Sequence, residues 1–340
     1  MKDWKKFWQK NRDRKIYITA VILCLITALC SICMGTANLT ISEIWQALWA
    51  GREDGGMSAN IFWYLRLPRT AACLLAGAGL AVSGAVIQGV LSNKLASPGI
   101  IGVNAGAGLA VTICCACGAL SGWMIAGASF GGALAAVFII SFAAQKMNAS
   151  RTTVILGGVA VNSFLNAASE AITTLVPEVG MMSADFRVGG FASVSYVRLI
   201  PAGIMIGISL GIVFTLHNEL DLMNLGEETA QGLGLSVKHM RTIFLTLAAL
   251  LAGTSVSFAG LLGFVGLIVP HIIRRIIGSE SKKLLPLCAL GGGTFVTFCD
   301  LIARTALAPY EIPVGILMSF IGGPFFIWLL LKKRGGHLRD

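Results

Sequence analysis

Charge is the scarcest property of this chain. Asp, Glu, Lys and Arg make up 12% of its 340 residues, whereas a soluble domain is about a quarter charged. So few charges cannot clothe a water-facing surface, and the two soluble domains that the length would otherwise suggest are ruled out. Disorder fails too, because 56% of the residues are hydrophobic. The 41 glycines follow no Gly-X-Y period, which removes a collagen-like chain. Chemistry is equally sparse. The four histidines (His217, His239, His271, His337) form no HExxH pattern, the nine cysteines show no CxxC spacing, and no Gly-rich loop ends in Lys-Ser/Thr. Cys114, Cys115 and Cys117 cluster near one helix end, where a thiol serves most simply as a small apolar filler. No metal site is indicated, and ATP has no binding loop on this chain.

What is present in quantity is apolar length. Mean hydropathy is +0.80, and runs near 20 residues recur along the whole sequence, the length needed to cross a bilayer. Backbone groups in lipid must be satisfied within their own segment, so these runs are helices. Ten are expected, near 16–34, 70–91, 100–119, 123–144, 152–175, 197–216, 242–261, 263–277, 284–305 and 312–331. The eighth is short and interrupted. The first follows a basic stretch like a signal peptide, but it lacks a clean small-residue cleavage site and reads as a retained span. The expectation is an all-α polytopic membrane protein, one transmembrane domain over 1–340. Its extramembrane parts are a basic N-terminus (1–15), a loop (217–241) and a tail (332–340).

The net charge of +10 sorts by side. With the N-terminus in the cytoplasm, only Arg52, Arg66, Arg69, Arg187, Arg198 and Arg304 of the 26 Lys and Arg fall outside. Such a bias places both termini inside, and it leaves nucleic-acid binding without separate support. Within the spans, Gly102/Gly106, Gly127/Gly131 and Gly203/Gly207/Gly211 repeat every four residues, a spacing that lets neighbouring backbones approach. Leu75-Ala76-Gly77 with Gly84 recurs as Leu251-Ala252-Gly253 with Gly260. The two copies run in opposite directions, as in an inverted transporter repeat.

Polar groups inside the spans are few. Glu170 and Asp300 are the only carboxylates there, both toward the outer side, and Asp300 lies four residues from Arg304, which suggests a local ion pair. Two segments between spans stand out. In Arg66-Leu67-Pro68-Arg69, two guanidiniums at the outer surface could pair with a partner's carboxylates or with lipid phosphates. In the inner loop, Gly226-Glu227-Glu228-Thr229-Ala230-Gln231-Gly232-Leu233-Gly234-Leu235 spells a short helix from Glu227 to about Gln231, stopped by Gly232. It suits either a docking knob or an ordinary connection.

These segments carry a resemblance. Arg66-Leu67-Pro68-Arg69-Thr70, the run 75–88, Pro98-Gly99-Ile100-Ile101-Gly102-Val103 and Leu156-Gly157-Gly158-Val159-Ala160 resemble the FecCD family, permease subunits of bacterial ABC importers for ferric siderophores, haem and cobalamin. So do the 226–235 loop, Gly263-Phe264-Val265-Gly266-Leu267-Ile268-Val269-Pro270-His271, the segment 300–304 and Glu311-Ile312-Pro313-Val314-Gly315. The resemblance implies ten helices in a type II importer permease and a partner permease, as homodimer or heterodimer. It also implies two cytoplasmic ATPase subunits that use ATP and an extracytoplasmic substrate-binding protein. On it, Arg66, Arg69 and Arg304 meet the binding protein, residues 226–234 couple to the ATPase, and Asn93, Leu95, Asn148 and Ala149 form an inner gate. One departure is visible: the family often reads Asn-Pro-Leu-Ala where this chain has Asn93-Lys94-Leu95-Ala96. The expected function is import of an iron chelate or cobalamin-type substrate across the bacterial cytoplasmic membrane. The alternative is a proton-coupled secondary carrier, and the residue census disfavours an intramembrane enzyme.

Overall fold

The computed structural model describes residues 2–37, 40–51, 56–146 and 151–334. These residues form fifteen α-helices and no strand. In chain order they are α1 (Lys2–Cys33), α2 (Ile41–Ala50), α3 (Gly56–Asn60), α4 (Leu67–Val90), α5 (Val103–Ala116), α6 (Gly122–Lys146), α7 (Arg151–Leu175) and α8 (Pro177–Val188). Then follow α9 (Tyr196–Thr215), α10 (His217–Asn224), α11 (Glu227–Gly232), α12 (Val237–Ala259), α13 (Val265–Ile277), α14 (Ser281–Thr305) and α15 (Val314–Arg334). A π-helical turn, Ile61–Arg66, joins α3 to α4. Helices α1, α4, α5, α6, α7, α9, α12, α13, α14 and α15 correspond to the ten expected spans, with limits within about five residues except at the start of α1, which begins at Lys2 rather than near 16. Helix α5 is shorter than expected. A turn at Gly102, with φ +92, opens it and Gly118, with φ +71, closes it, backbone conformations that favour glycine.

Seven of the helices are long and apolar enough to cross a membrane, and α5 and α15 are shorter apolar helices. Helix α13, with 13 residues, reaches only about 20 Å at 1.5 Å per residue, short of a hydrocarbon core of about 30 Å. The break lies before the helix, at 260–264, while Pro270 sits inside it. Non-helical backbone at membrane depth survives only when protein satisfies it, and here α8, which sequence reasoning missed, supplies the partner. The Leu261 amide donates to the Phe186 carbonyl at 2.9 Å, and the Gly190 amide donates to the Ala259 carbonyl at 2.8 Å.

The core is built around α4 and α12. Both are largely buried, and the Ser83 hydroxyl joins them by donating to the Ala248 carbonyl at 2.7 Å. They run antiparallel, because Gly79 lies beside Leu251 and Ser255 while Ser83 lies beside Ala248. Helix α4 packs on α14, and α12 packs on α6, so each central helix leans on a span of the other half of the chain. That exchange is the arrangement the inverted repeat implies.

Glycine makes the closest contacts, although partly at different positions from those the four-residue spacing suggests. A β-carbon at Gly84 would sit 2.0 Å from the Gly266 carbonyl oxygen. At Gly77 it would sit 2.2 Å from that of Gly292, and at Gly106 2.2 Å from that of Gly132. Gly127, Gly131, Gly207 and Gly211 face open space instead. Spacing identifies a smooth helix face, but only the partner decides whether that face is used. Gly84→Ala is therefore expected to destabilise the chain by about 1–3 kcal/mol or more, while Gly207→Ala is nearly neutral. Thermal unfolding of the two variants in detergent would show it; equal midpoints would refute the packing assignment.

Candidate functional site

The polar groups collect at the two ends of the bundle. At one end lie the three arginines singled out in the sequence. The Asp300 carboxylate is fully buried and accepts from Arg69 at 3.0 Å (Nε) and 2.9 Å (Nη2). Arg69 also pairs with Glu311 at 2.8 Å. Arg304, 2% exposed, donates to the Ser31 carbonyl at 2.6 Å and to its hydroxyl at 2.7 Å. Its Nε lies 3.5 Å from Asp300. Ser31 and Thr70 share a hydrogen bond of 2.7 Å. Arg66, 4% exposed, donates to the carbonyls of Ile32, Cys33 and Ala37. Two of these are orphan carbonyls at the C-terminus of α1, where the helix dipole favours a cation.

This corrects the expectation of two guanidiniums standing free at the surface. All three arginines are held by the chain's own groups, and Arg69 is the most exposed of them, at 14% of its side chain. They clamp α1, α4, α14 and the α14–α15 connection together. The i,i+4 pairing of Asp300 with Arg304 is present, but the bidentate partner of Asp300 is Arg69, 231 residues distant. Nearby, Thr40 and Glu43 form a capping box on α2. Hydrogen bonds from the Thr40 backbone and hydroxyl hold the Glu43 carboxyl below its ordinary range.

The other end carries most of the basic residues. The inner loop forms two short helices. Helix α11 spans Glu227–Gly232, as read from the sequence, between Gly226 (φ +109) and Gly234 (φ +86). Ala230 is buried, whereas Leu225 and Leu233 are each 60% exposed. Glu227 pairs with Arg241 on α12. The preceding helix α10 was not expected. It packs beneath α4, and its Asp221 caps α14 by accepting from the Ser281 amide at 2.9 Å. Gln88 donates to the Gly266 carbonyl at 3.0 Å and accepts from Arg274. No motif marks this pair in the sequence.

Of the four gate residues, Asn93 and Leu95 lie in the turn after α4, where the Leu95 amide donates to Asn93 Oδ1 at 2.9 Å. They line a cavity of about 470 Å³ with Lys94, His271, Arg275 and Leu329. Asn148 and Ala149 lie outside the described residues. Helix α7 also stands apart. Only 17% of its span is buried and its mean hydropathy, 1.2, is the lowest of the seven spans. Ser163, Asn166, Glu170 and Thr174 are all exposed and recur along one face at helical spacing. Among the described residues, no group of three or more His, Cys, Asp or Glu is placed to hold a metal ion.

Comparison with known proteins decides the family. The model of the FecCD transport family matches residues 23–332. The chain belongs to the FecCD transport family. Three FecCD-like relatives illustrate the range. The chain is 33% identical to the hemin transport permease HmuU of Yersinia pestis, over 92% of this chain and 94% of that one. It is 34% identical to the vitamin B12 import permease BtuC of Klebsiella pneumoniae, over 96% of each. It is also 34% identical to the Fe(3+)-citrate import permease YfmD of Bacillus subtilis, over 94% of this chain and 95% of that one. A solved inward-facing structure of a metal-chelate type ABC transporter superposes with a TM-score of 0.83 at 28% identity, over 94% of this chain and 99% of that one. The helical architecture is thus that of an ABC importer permease.

The clamp yields a measurable expectation. Asp300→Asn leaves Arg69 and Arg304 without their shared anion in a buried site, a loss of about 3–5 kcal/mol. The variant should unfold at markedly lower temperature than the wild type. Exposed Glu178→Gln serves as the control, and equal midpoints for the two variants would remove the clamp's structural role.

Proposed function

We propose that this chain is the permease subunit of an ATP-driven importer for an iron-siderophore, haem or cobalamin-type chelate in the bacterial cytoplasmic membrane, with both termini cytoplasmic. The observation that carries the reading is the polar face of α7. Ser163 and Asn166 are exposed in the middle of an apolar span, and Glu170 and Thr174 continue that face toward its end. Polar and ionisable groups at that depth face protein or a water-filled path rather than lipid. One chain leaves the face uncovered, so it forms half of a path wall whose other half comes from a second permease subunit. The names of the relatives and the superposed importer support the substrate class and the assembly.

Energy comes from outside the chain. The cytoplasmic ATPase subunits dock on residues 226–234, where exposed Leu225 and Leu233 flank α11 and supply apolar anchors. ATP is bound and hydrolysed there, and the permease itself uses no cofactor and performs no catalysis. Movement of α11 passes to α12 through the Glu227–Arg241 pair and shifts the bundle between two access states. The binding protein docks at the clamp end. Arg66 and Arg304 brace that platform, and Arg69 is the residue whose Glu311 partner a docking carboxylate can replace.

A proton-driven carrier needs a carboxylate free to exchange protons. Asp300 is committed to two guanidiniums, which leaves Glu170 as its single candidate. Uptake into proteoliposomes separates the readings. Transport should require the ATPase subunits and ATP, and should persist in Glu170→Gln; uptake without ATPase that collapses with a protonophore would overturn the importer. Two further outcomes are expected. Leu233→Asp should abolish stimulated ATP hydrolysis while the chain stays folded. In the assembled importer, Asn166→Cys should gain labelling by a water-soluble maleimide above the background of native cysteines, and Ile204→Cys on the exposed apolar face of α9 should not.

A further inference from the structure

The cavity at the basic end has a charge that the functions described so far do not use. It lies between the turn after α4 and the C-terminal halves of α13 and α15, and its lining includes Lys94, His271 and Arg275. No carboxylate lines it among the described residues. The neighbouring Arg274 makes the contrast plain. It turns inward and donates to Gln88 Oε1 and to the Ala85 carbonyl. Arg275 turns the other way, with its guanidinium carbon 5.3 Å from the centre of the Trp328 ring. Stacking fixes the plane of the guanidinium without using its N–H donors. His271 packs edge-on against Phe325 with ring centres 6.0 Å apart, and its Nε2 is buried with no hydrogen-bond partner. Exposed cations at a membrane edge are ordinary topological labels, which would account for Lys94 and Arg275 alone. His271 lines the same cavity and its Nε2 has no hydrogen-bond partner, so three nitrogen-bearing side chains gather around one space with no carboxylate among the described lining residues.

We propose that this cavity is an anion site that receives a carboxylate group of the transported chelate at the inner mouth. Lys94 and Arg275 supply charge-assisted donors, and His271 Nε2 completes the site. Leu95 and Leu329 form its apolar wall. The volume of about 470 Å³ falls within the range of about 300–1,000 Å³ found for small-molecule sites. Asn93 and Leu95, the described members of the expected gate, line the same space, so an anion held here rests at the point of exit. A polycarboxylate metal chelate is then the favoured substrate class over a neutral one. That substrate assignment rests on the importer reading, whereas the anion site does not.

The test uses the full chain in nanodiscs of zwitterionic lipid, with citrate as the anionic probe and triethyl citrate as its neutral counterpart, followed by titration calorimetry. Citrate should bind, triethyl citrate should not, and affinity should fall as salt is raised. Lys94→Ala and Arg275→Gln should each weaken citrate about tenfold, the size of one charge-assisted hydrogen bond. Lys94→Arg should retain binding, as should Lys282→Ala outside the cavity. No citrate binding, equal binding of triethyl citrate, or wild-type affinity in the Lys94→Ala/Arg275→Gln pair would overturn the site. The salt titration on unaltered protein keeps the test valid if a variant misfolds. ATP-driven uptake that persists alongside absent citrate binding sinks the site and leaves the importer standing. Citrate binding without any ATP-driven uptake sinks the chelate assignment.

Discussion

The close approach of α4 to α13 and α14 is the constraint on which the rest of the architecture depends. At Gly77 and Gly84 the neighbouring backbones are so near that a single methyl group would overlap a carbonyl oxygen. Contacts of that kind leave no freedom to slide, so they fix the register of three helices at once. The polar groups then fall into place. Arg69 at one end of α4 meets Asp300 on α14, and Gln88 at the other meets Gly266 and Arg274 on α13. Nineteen residues separate these two positions, about 28 Å along a helix and close to the thickness of a bilayer core. One membrane-length helix thus carries a polar fastening at each face of the bilayer, with tight packing and the Ser83–Ala248 hydrogen bond between them.

The division between legible and hidden follows the range of the interactions. The ten spans were readable because lipid demands a long apolar run, and a run is a local property. Helix α11 was readable for the same reason, since Gly226 and Gly232 bracket it in the sequence. Helices α8 and α10 were not. Each is short and of mixed polarity, and each is ordered by distant segments: α8 by the broken backbone before α13, α10 by its hold on α4 and α14. The clamp shows the limit most plainly. Asp300 and Arg304 stand four apart and could be paired on paper, yet the stronger partner, Arg69, comes from the other end of the chain. The arginines were recognisable as unusual, but whether they faced a partner or their own fold depended on carbonyls at the end of α1.

The glycines give a complementary lesson. Regular spacing marks a face that can be approached, as at Gly207 and Gly211, but the structure leaves those faces open. Gly84 meets Gly266, and Gly77 meets Gly292, across the bundle rather than along one helix. In a membrane the gain from burying apolar surface is small, since lipid is as apolar as the core. Shape complementarity and internal hydrogen bonds therefore decide which helices meet, and these properties belong to pairs of segments.

The ion pair between Glu227 and Arg241 has a mechanical consequence. Helix α12 begins four residues before Arg241 and runs for 23 residues, about 34 Å, through the centre of the molecule. A helix of that length behaves as a stiff rod gripped near one end. Tilting it by about five degrees sweeps its far end through roughly 3 Å, given its rise per residue. That is enough to separate side chains that touch, while the tight glycine contacts beside it keep their register. Under the proposed coupling, a short surface helix would thus act on the bundle through leverage.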